Sequence, residues 1–179
     1  FIDNVIVSSS EVVSFTDAAV EQAWAKGKLP LFWGVPDTIM ASIKNNGNVA
    51  LNNLKVYLNV AGAYNLSDSA VIPVLSPGSS EVVSFKGIIP VISGYSNVSI
   101  TIPDDDDNGN NQRTTYTQSN LTAYSYVDTN CCNSGAGFGG EAFFLTRYRM
   151  NNTGQVRKVN VKIYNDPLNI GQIIYGVVM

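Results

Sequence analysis

The amino-acid sequence predicts an all-β protein built from tandem β-sandwich modules. Apolar and polar residues alternate over most of the chain, which is the period of a half-buried strand. Gly, Pro and Asn turn signals recur about every 10 residues, the spacing expected of a sandwich. Of 179 residues, 45% are hydrophobic and only 14% are charged. This composition is typical of secreted β-rich proteins more than of cytosolic enzymes.

Composition also excludes several classes of function. The chain has no histidine, so serine–histidine triads and histidine-ligated zinc or iron sites are excluded. Its net charge is -3 with scattered Lys and Arg, which argues against a nucleic-acid partner. No apolar run is long enough to span a membrane. No motif pairs the glutamates as glycosidase acids, and the sequence therefore predicts a protein that is not an enzyme.

The N-terminal elements differ in clarity. Residues 1–8, FIDNVIVS, alternate cleanly and predict the closing strand of a preceding β-sandwich. Residues 17–28, DAAVEQAWAKGK, are ambiguous, because Ala, Glu, Gln and Lys favour a helix. Gly27 and Pro30 nevertheless cut that segment short, and no full amphipathic stripe develops.

Plain strand patterns follow from residue 37 onward. DTIMASIKNNGN leads into an Asn-Gly turn, and LNNLKVYLNVAG alternates throughout. AVIPVLSPGSSEVVSF predicts two strands around a Pro-Gly turn, and GYSNVSITIPD and RTTYTQSNLTAYSYVD predict two more. After the Gly-rich break CCNSGAGFGG, the segments EAFFLTRYRM, VRKVNVKIYND and QIIYGVVM predict three further strands. These are too few for another complete sandwich, so the chain is expected to be a window on a longer modular protein.

The acidic stretch PDDDDNGNNQ, residues 103–112, has two interpretations. Calcium binds carboxylate and amide oxygens, so Asp104, Asp105, Asp106 and Asp107 are candidate calcium ligands. The spacing is not that of an EF-hand. Asp and Asn also stabilise tight turns by bonding their own backbone, which favours a solvated hairpin loop. Besides this calcium, the sequence indicates no cofactor.

The two cysteines, Cys131 and Cys132, are adjacent. They can form a strained vicinal disulfide or remain two thiols. A zinc site needs about four ligands, and no others lie nearby in the sequence. A structural or incidental role is favoured over a redox-active one.

GKLPLFWGVPDTIMASIKNNGNVALNNLKVYLNVAG, then VIPVLSPGSSEVVSF and VSITIPDDDDNGNNQ, resemble in order and spacing the cell-adhesion-related bacterial domain with an immunoglobulin-like fold. The version in large type IX-secreted surface and adhesin-like proteins of Bacteroidetes is the most similar. The flanks resemble parts of jelly-roll-like modules. The resemblance implies an immunoglobulin-like sandwich over residues 16–120, with residues 1–15 closing a preceding sandwich and residues 121–179 opening a following one. It also implies a strand within residues 17–28, against local propensity.

The function that this resemblance implies is mechanical and extracellular. The chain would be a non-catalytic structural or adhesive segment of a large secreted cell-surface or filament protein. Its partners would be neighbouring modules, copies of the same protein or surface glycans. Unpaired sheet edges, such as Val156–Tyr164, could accept a strand from a neighbour. The alternative is an accessory module of a secreted hydrolase that binds or spaces polysaccharide.

Two kinds of carbohydrate-related residue stand out. Asp37-Thr38-Ile39 and Asp68-Ser69-Ala70 resemble the acidic-Ser/Thr-apolar acceptor of O-glycosylation in Bacteroidetes, so Thr38 and Ser69 are candidate modification sites. Exposed aromatic rings could stack on sugars, although core or inter-module packing is favoured for most of them. The aromatic candidates are Trp24, Phe32, Trp33, Tyr95, Tyr116, Tyr124 and Tyr126.

Overall fold

The computed structural model describes residues 13–31, 34, 36–126, 145–148, 151 and 153–161. Those residues form eight named strands: β1 (Ala18–Trp24), β2 (Lys28–Pro30), β3 (Met40–Asn45), β4 (Leu51–Gly62), β5 (Leu66–Leu75), β6 (Ser80–Ser84), β7 (Gly94–Thr101) and β8 (Gln112–Asn120). In this part of the chain, no helix is long and apolar enough to cross a membrane.

The strands form two sheets, which confirms the all-β prediction. One sheet has three strands in the order β1-β3-β6, and the other has five in the order β2-β8-β7-β4-β5. All pairs are antiparallel except β2 with β8, which is parallel. Residues from both sheets join one buried apolar cluster, so the core lies between the sheets.

Alternation along the strands builds this core. In β4, Val56, Leu58 and Val60 are buried while the residues between them are exposed. In β7, Val98 and Ile100 are fully buried in the same cluster. Because side chains of a strand point alternately to opposite faces, this period-2 pattern fixes the register of each strand against the core.

β1 confirms the strand predicted within residues 17–28. The residues of β1 favour a helix on their own, but pairing with β3 over Ala18–Trp24 satisfies their backbone groups in a sheet. The register shifts between Val20 and Gln22, which marks a bulge at Glu21. The Glu21 carboxylate accepts hydrogen bonds from Ser42 Oγ at 3.0 Å and Ser80 Oγ at 3.1 Å, which ties together the three strands of this sheet.

The predicted turns are also present. Ser79 N donates to Ser76 O at 3.1 Å across Pro77-Gly78, and Gly78 has φ +75°. Proline at the second position and a positive φ at the third are the signature of a type II turn. This turn joins β5 to β6, and β6 lies in the other sheet.

The strand predictions beyond residue 144 are wrong wherever the structure describes them. Residues 145–148 and 153–161 form no strand, and Val156, Val159 and Val161 are more than half exposed. Alternation creates a strand only where a neighbouring strand pairs with it, and within the described ranges none does. The predicted strands of residues 1–8 and 172–179 lie outside the described residues.

Candidate functional site

The acidic stretch forms the loop between β7 and β8. The loop contains a single 3-10 turn at Asn108–Asn110, and the Asp107 side chain caps it by accepting from Gly109 N at 3.0 Å. Asp105 N donates to Asn108 Oδ1 at 3.0 Å. The loop is therefore held by side-chain-to-backbone bonds of the kind that Asp and Asn favour.

Two of the loop carboxylates hold the start of β1. Asp106 Oδ2 accepts from Thr16 N at 2.7 Å and from Thr16 Oγ1 at 2.8 Å, and Asp106 N donates to Thr16 O at 3.0 Å. Asp105 Oδ2 accepts from Ala18 N at 2.7 Å. We call these four residues (Thr16, Ala18, Asp105 and Asp106) the acidic clasp. The clasp ties the entry of the three-stranded sheet to a hairpin of the five-stranded sheet.

The clasp changes the electrostatics of Asp106. The backbone N–H of Thr16, followed by its hydroxyl, stabilises the ionised carboxylate and lowers the pKa of Asp106 below its usual value. Sequence reasoning missed the clasp because its partners are about 90 residues apart. It identified the loop but not what the loop holds.

Asp17 forms hydrogen bonds with both the β7–β8 loop and the β3–β4 turn. Only 6% of this residue is exposed. Its Oδ1 accepts from Asn110 Nδ2 at 2.8 Å. Its carbonyl oxygen accepts from Asn46 N at 2.7 Å and Gly47 N at 3.2 Å. The residue preceding β1 is thereby bonded on two sides.

Calcium binding by Asp104, Asp105, Asp106 and Asp107 stays a prediction. Among the described residues, no group of three or more Asp, Glu, His or Cys side chains is placed to hold a metal ion. Three of the four carboxylates accept backbone N–H groups instead. Asp104 makes no such bond in the described structure.

A separate cavity of about 480 Å³ opens beside β1 and β3. We call it the aromatic groove. Trp24 and Tyr126 are 38% and 43% exposed. Residues lining the groove are Trp24, Ala25, Lys26, Thr38, Met40, Val82 and Tyr126.

A buried ion pair lies at one wall of the groove. Lys26 Nζ is 2.9 Å from Asp37 Oδ1, and Lys26 N donates to Asp37 Oδ2 at 3.1 Å. The Asp37 side chain is fully buried. Burial raises the pKa of Asp37, and its bonds to Lys26 oppose that rise. No sequence pattern indicated this ion pair.

Three tyrosines pack together next to the groove. Tyr124 lies edge-on to Tyr126 and Tyr148, with ring centroids 5.8 and 4.7 Å away. Burial, with the neighbouring Tyr126 and Asp37 charges, raises the pKa of Tyr124 to about 12. Packing therefore accounts for Tyr124, whereas Tyr126 is 43% exposed, and Tyr95 and Tyr116 are 67% and 52% exposed.

The remaining candidate residues are scattered. Thr38 is exposed on the rim of the aromatic groove, and Ser69 is exposed on β5. The two are not brought together with the acidic loop into one site. Phe32, Trp33, Cys131 and Cys132 lie outside the described residues.

Comparison with known proteins finds a match in the central region. Residues 31–115 match the CARDB family model. CARDB is a cell-adhesion-related, immunoglobulin-like module. The match spans β3 to β7 and the first four residues of β8. No curated protein sequence matches the chain.

Solved CARDB structures have the same fold. The crystal structure of a Pyrococcus furiosus CARDB domain, in complex with di-metal ions, has a TM-score of 0.50 and 18% identity. It covers 60% of this chain and 96% of its own. A solution structure of that domain has a TM-score of 0.52 and 18% sequence identity, and the match covers 61% of this chain and 99% of that domain. A Listeria innocua β-glucosidase in complex with glucose has a TM-score of 0.35 and 14% sequence identity, and the match covers 60% of this chain and 16% of the glucosidase. This likeness is too weak to carry any argument.

Proposed function

We propose that this chain is a non-catalytic structural or adhesive segment of a large secreted protein of the cell surface or of an extracellular filament. The match of residues 31–115 to a cell-adhesion-related module carries the proposal. The likeness to Bacteroidetes surface proteins supports a type IX-secreted context. Neighbouring modules, or copies of the same protein, would be its partners.

The bonding at both ends of the sandwich supports a mechanical role. At the entry, the acidic clasp fixes Thr16 and Ala18. At the exit, Lys28 and Ser125 exchange backbone hydrogen bonds, each 3.0 Å long. A pull on either end would first load hydrogen bonds that cross between distant segments. Such a module transmits tension before its core opens.

Glycans would protect the module outside the cell, and we propose Thr38 and Ser69 as their attachment sites. Both side chains are exposed, and each follows an aspartate. Intact mass of the protein from its native source tests this proposal. A mass excess that disappears in Thr38→Ala or Ser69→Ala supports it, and a mass equal to the bare polypeptide refutes it.

Electron microscopy of the native particle, together with its intact mass, tests the main proposal. We expect beads or fibres and a mass far above 19.3 kDa. A compact particle with a mass near this value would refute the filament context. The assignment of residues 31–115 to a CARDB-like region would be unaffected by that result.

The alternative function is an accessory polysaccharide-binding or spacer module of a secreted hydrolase. The aromatic groove favours it, because Trp24 and Tyr126 present apolar rings beside polar groups, and sugars stack on such rings. Affinity electrophoresis in gels that contain polysaccharide would show retardation of the wild type. Trp24→Ala should abolish that retardation, whereas Tyr95→Ala, an exposed aromatic outside the groove lining, should not.

A further inference from the structure

The strands β7 and β8 present an uncharged surface to solvent at one end of the five-stranded sheet. Their side chains alternate between the core and the outer face, so every second residue points outward. Near the start of β7 and the end of β8, six outward residues pair across the ladder in three rows: Tyr95 with Gln118, Asn97 with Tyr116, and Ser99 with Thr114. We call these six residues the tyrosine platform. None of them carries a charge.

The two tyrosines form the apolar part of the platform. Tyr95 and Tyr116 each have more than half of their surface in solvent. They occupy diagonal positions in the ladder, because Tyr95 pairs with Gln118 and Tyr116 lies two residues earlier on β8. Diagonal neighbours of an antiparallel pair lie about 7–8 Å apart, which is within reach of aromatic side chains. The two rings therefore form one strip on the outer face rather than two isolated contacts.

Each ring has an amide side chain directly beside it on the neighbouring strand. Asn97 pairs with Tyr116, and Gln118 pairs with Tyr95. Asn97 is exposed and Gln118 is half-buried. Tyrosine supplies a large, rigid, amphipathic contact area at a low cost in conformational entropy, and small polar side chains add adaptable hydrogen bonding. The platform thus presents apolar rings and uncharged hydrogen-bonding groups side by side.

The charges nearest to the platform disfavour a charged partner. The carboxylates of residues 104–107 lie in the loop that joins β7 to β8, at the opposite end of the two strands from Tyr95. Lys28 on β2 borders the platform, since it pairs with Gln118. The acidic loop would repel a polyanion laid along these strands, and a single bordering lysine is too few to hold one. The platform therefore matches a partner that carries no charge.

We propose that the tyrosine platform binds an uncharged polysaccharide. The C–H faces of the sugar rings lie on Tyr95 and Tyr116, and the sugar hydroxyl groups exchange hydrogen bonds with Asn97 and Gln118. An amide side chain has two N–H donors and an acceptor oxygen, which suits hydroxyl groups that both donate and accept. The inference rests on the adhesive function proposed above, and it names the surface that carries the adhesion and the class of ligand.

Affinity electrophoresis of the full chain in native gels tests the proposal. Separate gels contain hydroxyethyl cellulose, glucomannan or dextran as uncharged polymers, and alginate as a polyanion. We expect retardation in at least one of the uncharged gels and none in alginate. Retardation in alginate alone, or in none of the four gels, would overturn the proposal.

Matched tyrosine variants locate the site on the sheet. Tyr95→Ala and Tyr116→Ala should each weaken binding about fivefold or more, which is the loss expected of a residue that contributes to an interface. Tyr116→Phe keeps the ring and should keep most of the affinity. Tyr57→Ala is the control, because Tyr57 is an exposed tyrosine of the same sheet face that lies outside the platform, beside Ser69 and Thr101. Equal losses in all three alanine variants would contradict the assigned site.

The aromatic groove predicts the opposite result in the same gels. If the groove holds the polysaccharide, Trp24→Ala abolishes the retardation and Tyr95→Ala leaves it unchanged, and that outcome refutes the platform. The far-UV circular dichroism of each variant should match that of the wild type, because the replaced side chains are exposed. A failure of the platform leaves the proposed structural role of the segment in place, since microscopy of the native particle tests that role independently.

Discussion

Individual buried polar residues specify the geometry between the sheets. Asn45 is fully buried, and its Nδ2 donates to Val49 O and Leu75 O, each at 2.8 Å, while its Oδ1 accepts from Gly47 N at 2.9 Å. All the main hydrogen-bonding directions of this amide are used. A buried polar group with every partner in place favours one arrangement of the chain over its alternatives.

The Lys26–Asp37 pair should behave as a coupled unit at the residue scale. Asp37→Ala leaves Lys26 Nζ without its partner, and Lys26→Met leaves the buried Asp37 carboxylate with the backbone N–H of residue 26 but no opposite charge. Each change should therefore cost about 3–5 kcal/mol. The double variant Lys26→Met/Asp37→Leu should cost much less than the sum. Urea unfolding of the wild type, the two single variants and the double variant measures these free energies. Strictly additive losses of unfolding free energy would show that the pair is not coupled.

Two glycines should respond differently to alanine. A Cβ on Gly47 would lie 2.5 Å from Phe15 O and 2.8 Å from Asp17 N, whereas a Cβ on Gly78 has nothing within 4 Å. Gly47→Ala must therefore displace backbone, at a cost of about 1–3 kcal/mol. Gly78→Ala meets only the strain of its positive φ, about 1 kcal/mol. Equal Tm losses in the two variants would contradict this ranking.

At the scale of elements, β1 depends on its neighbours more than on its own sequence. Its residues favour a helix, but β3 pairs along its full length and the acidic clasp fixes its start. Sheet pairing overrides a weak helical preference in this way. The strand therefore forms as part of the sandwich and would not persist as an isolated peptide.

The clasp should make the module sensitive to acid. The folded pKa of Asp106 is lowered, so its stabilisation is complete above the unfolded value of about 3.8 and is lost as pH falls through the lower folded value. Asp106→Asn should therefore destabilise the protein at pH 7 and converge with wild type in strong acid. Asp104→Asn is the charge-matched control, because it removes one negative charge of the loop and no bond of the clasp.

Asp37 affects the pH dependence of stability in the opposite direction to Asp106. Burial raises its folded pKa, so its favourable contribution is present at low pH and is lost as pH rises through that raised value. The net pH profile is the sum of these opposing effects. Comparing Asp106→Asn with Asp104→Asn isolates the clasp from them.

At the scale of the whole molecule, the sheets formed by the described residues have open edges. β5 lies at the edge of the five-stranded sheet, and its exposed Val71 and Val74 could support pairing with another chain. Pro73 lies between them and has no N–H to offer a partner strand. Asp68 on the same strand accepts from Lys86 N at 2.9 Å. Proline and charge are the devices by which native edges avoid uncontrolled pairing.

Replacement of that proline should increase association. Pro73→Val restores an N–H donor and a β-branched side chain, so we expect concentration-dependent dimers or larger species in light scattering after size exclusion. Pro77→Val, at the β5–β6 turn, is the control and should leave the oligomeric state unchanged. A Pro73→Val protein with the same mass as wild type at high concentration would show that this edge is already protected by other features.

The sequence by itself determined the strands from β3 to β8, the Pro-Gly turn before β6, and the faces that β4 and β7 bury. Period-2 alternation in β4 and β7 and the Pro-Gly turn before β6 depend only on residues that are close together in the sequence. Such patterns can therefore be recognised in a single sequence. Tertiary structure alone decided the acidic clasp, the Lys26–Asp37 pair and the aromatic groove, because each joins segments that only folding brings together. It also decided that residues 153–161 form no strand, since alternation cannot supply the neighbour that a strand requires.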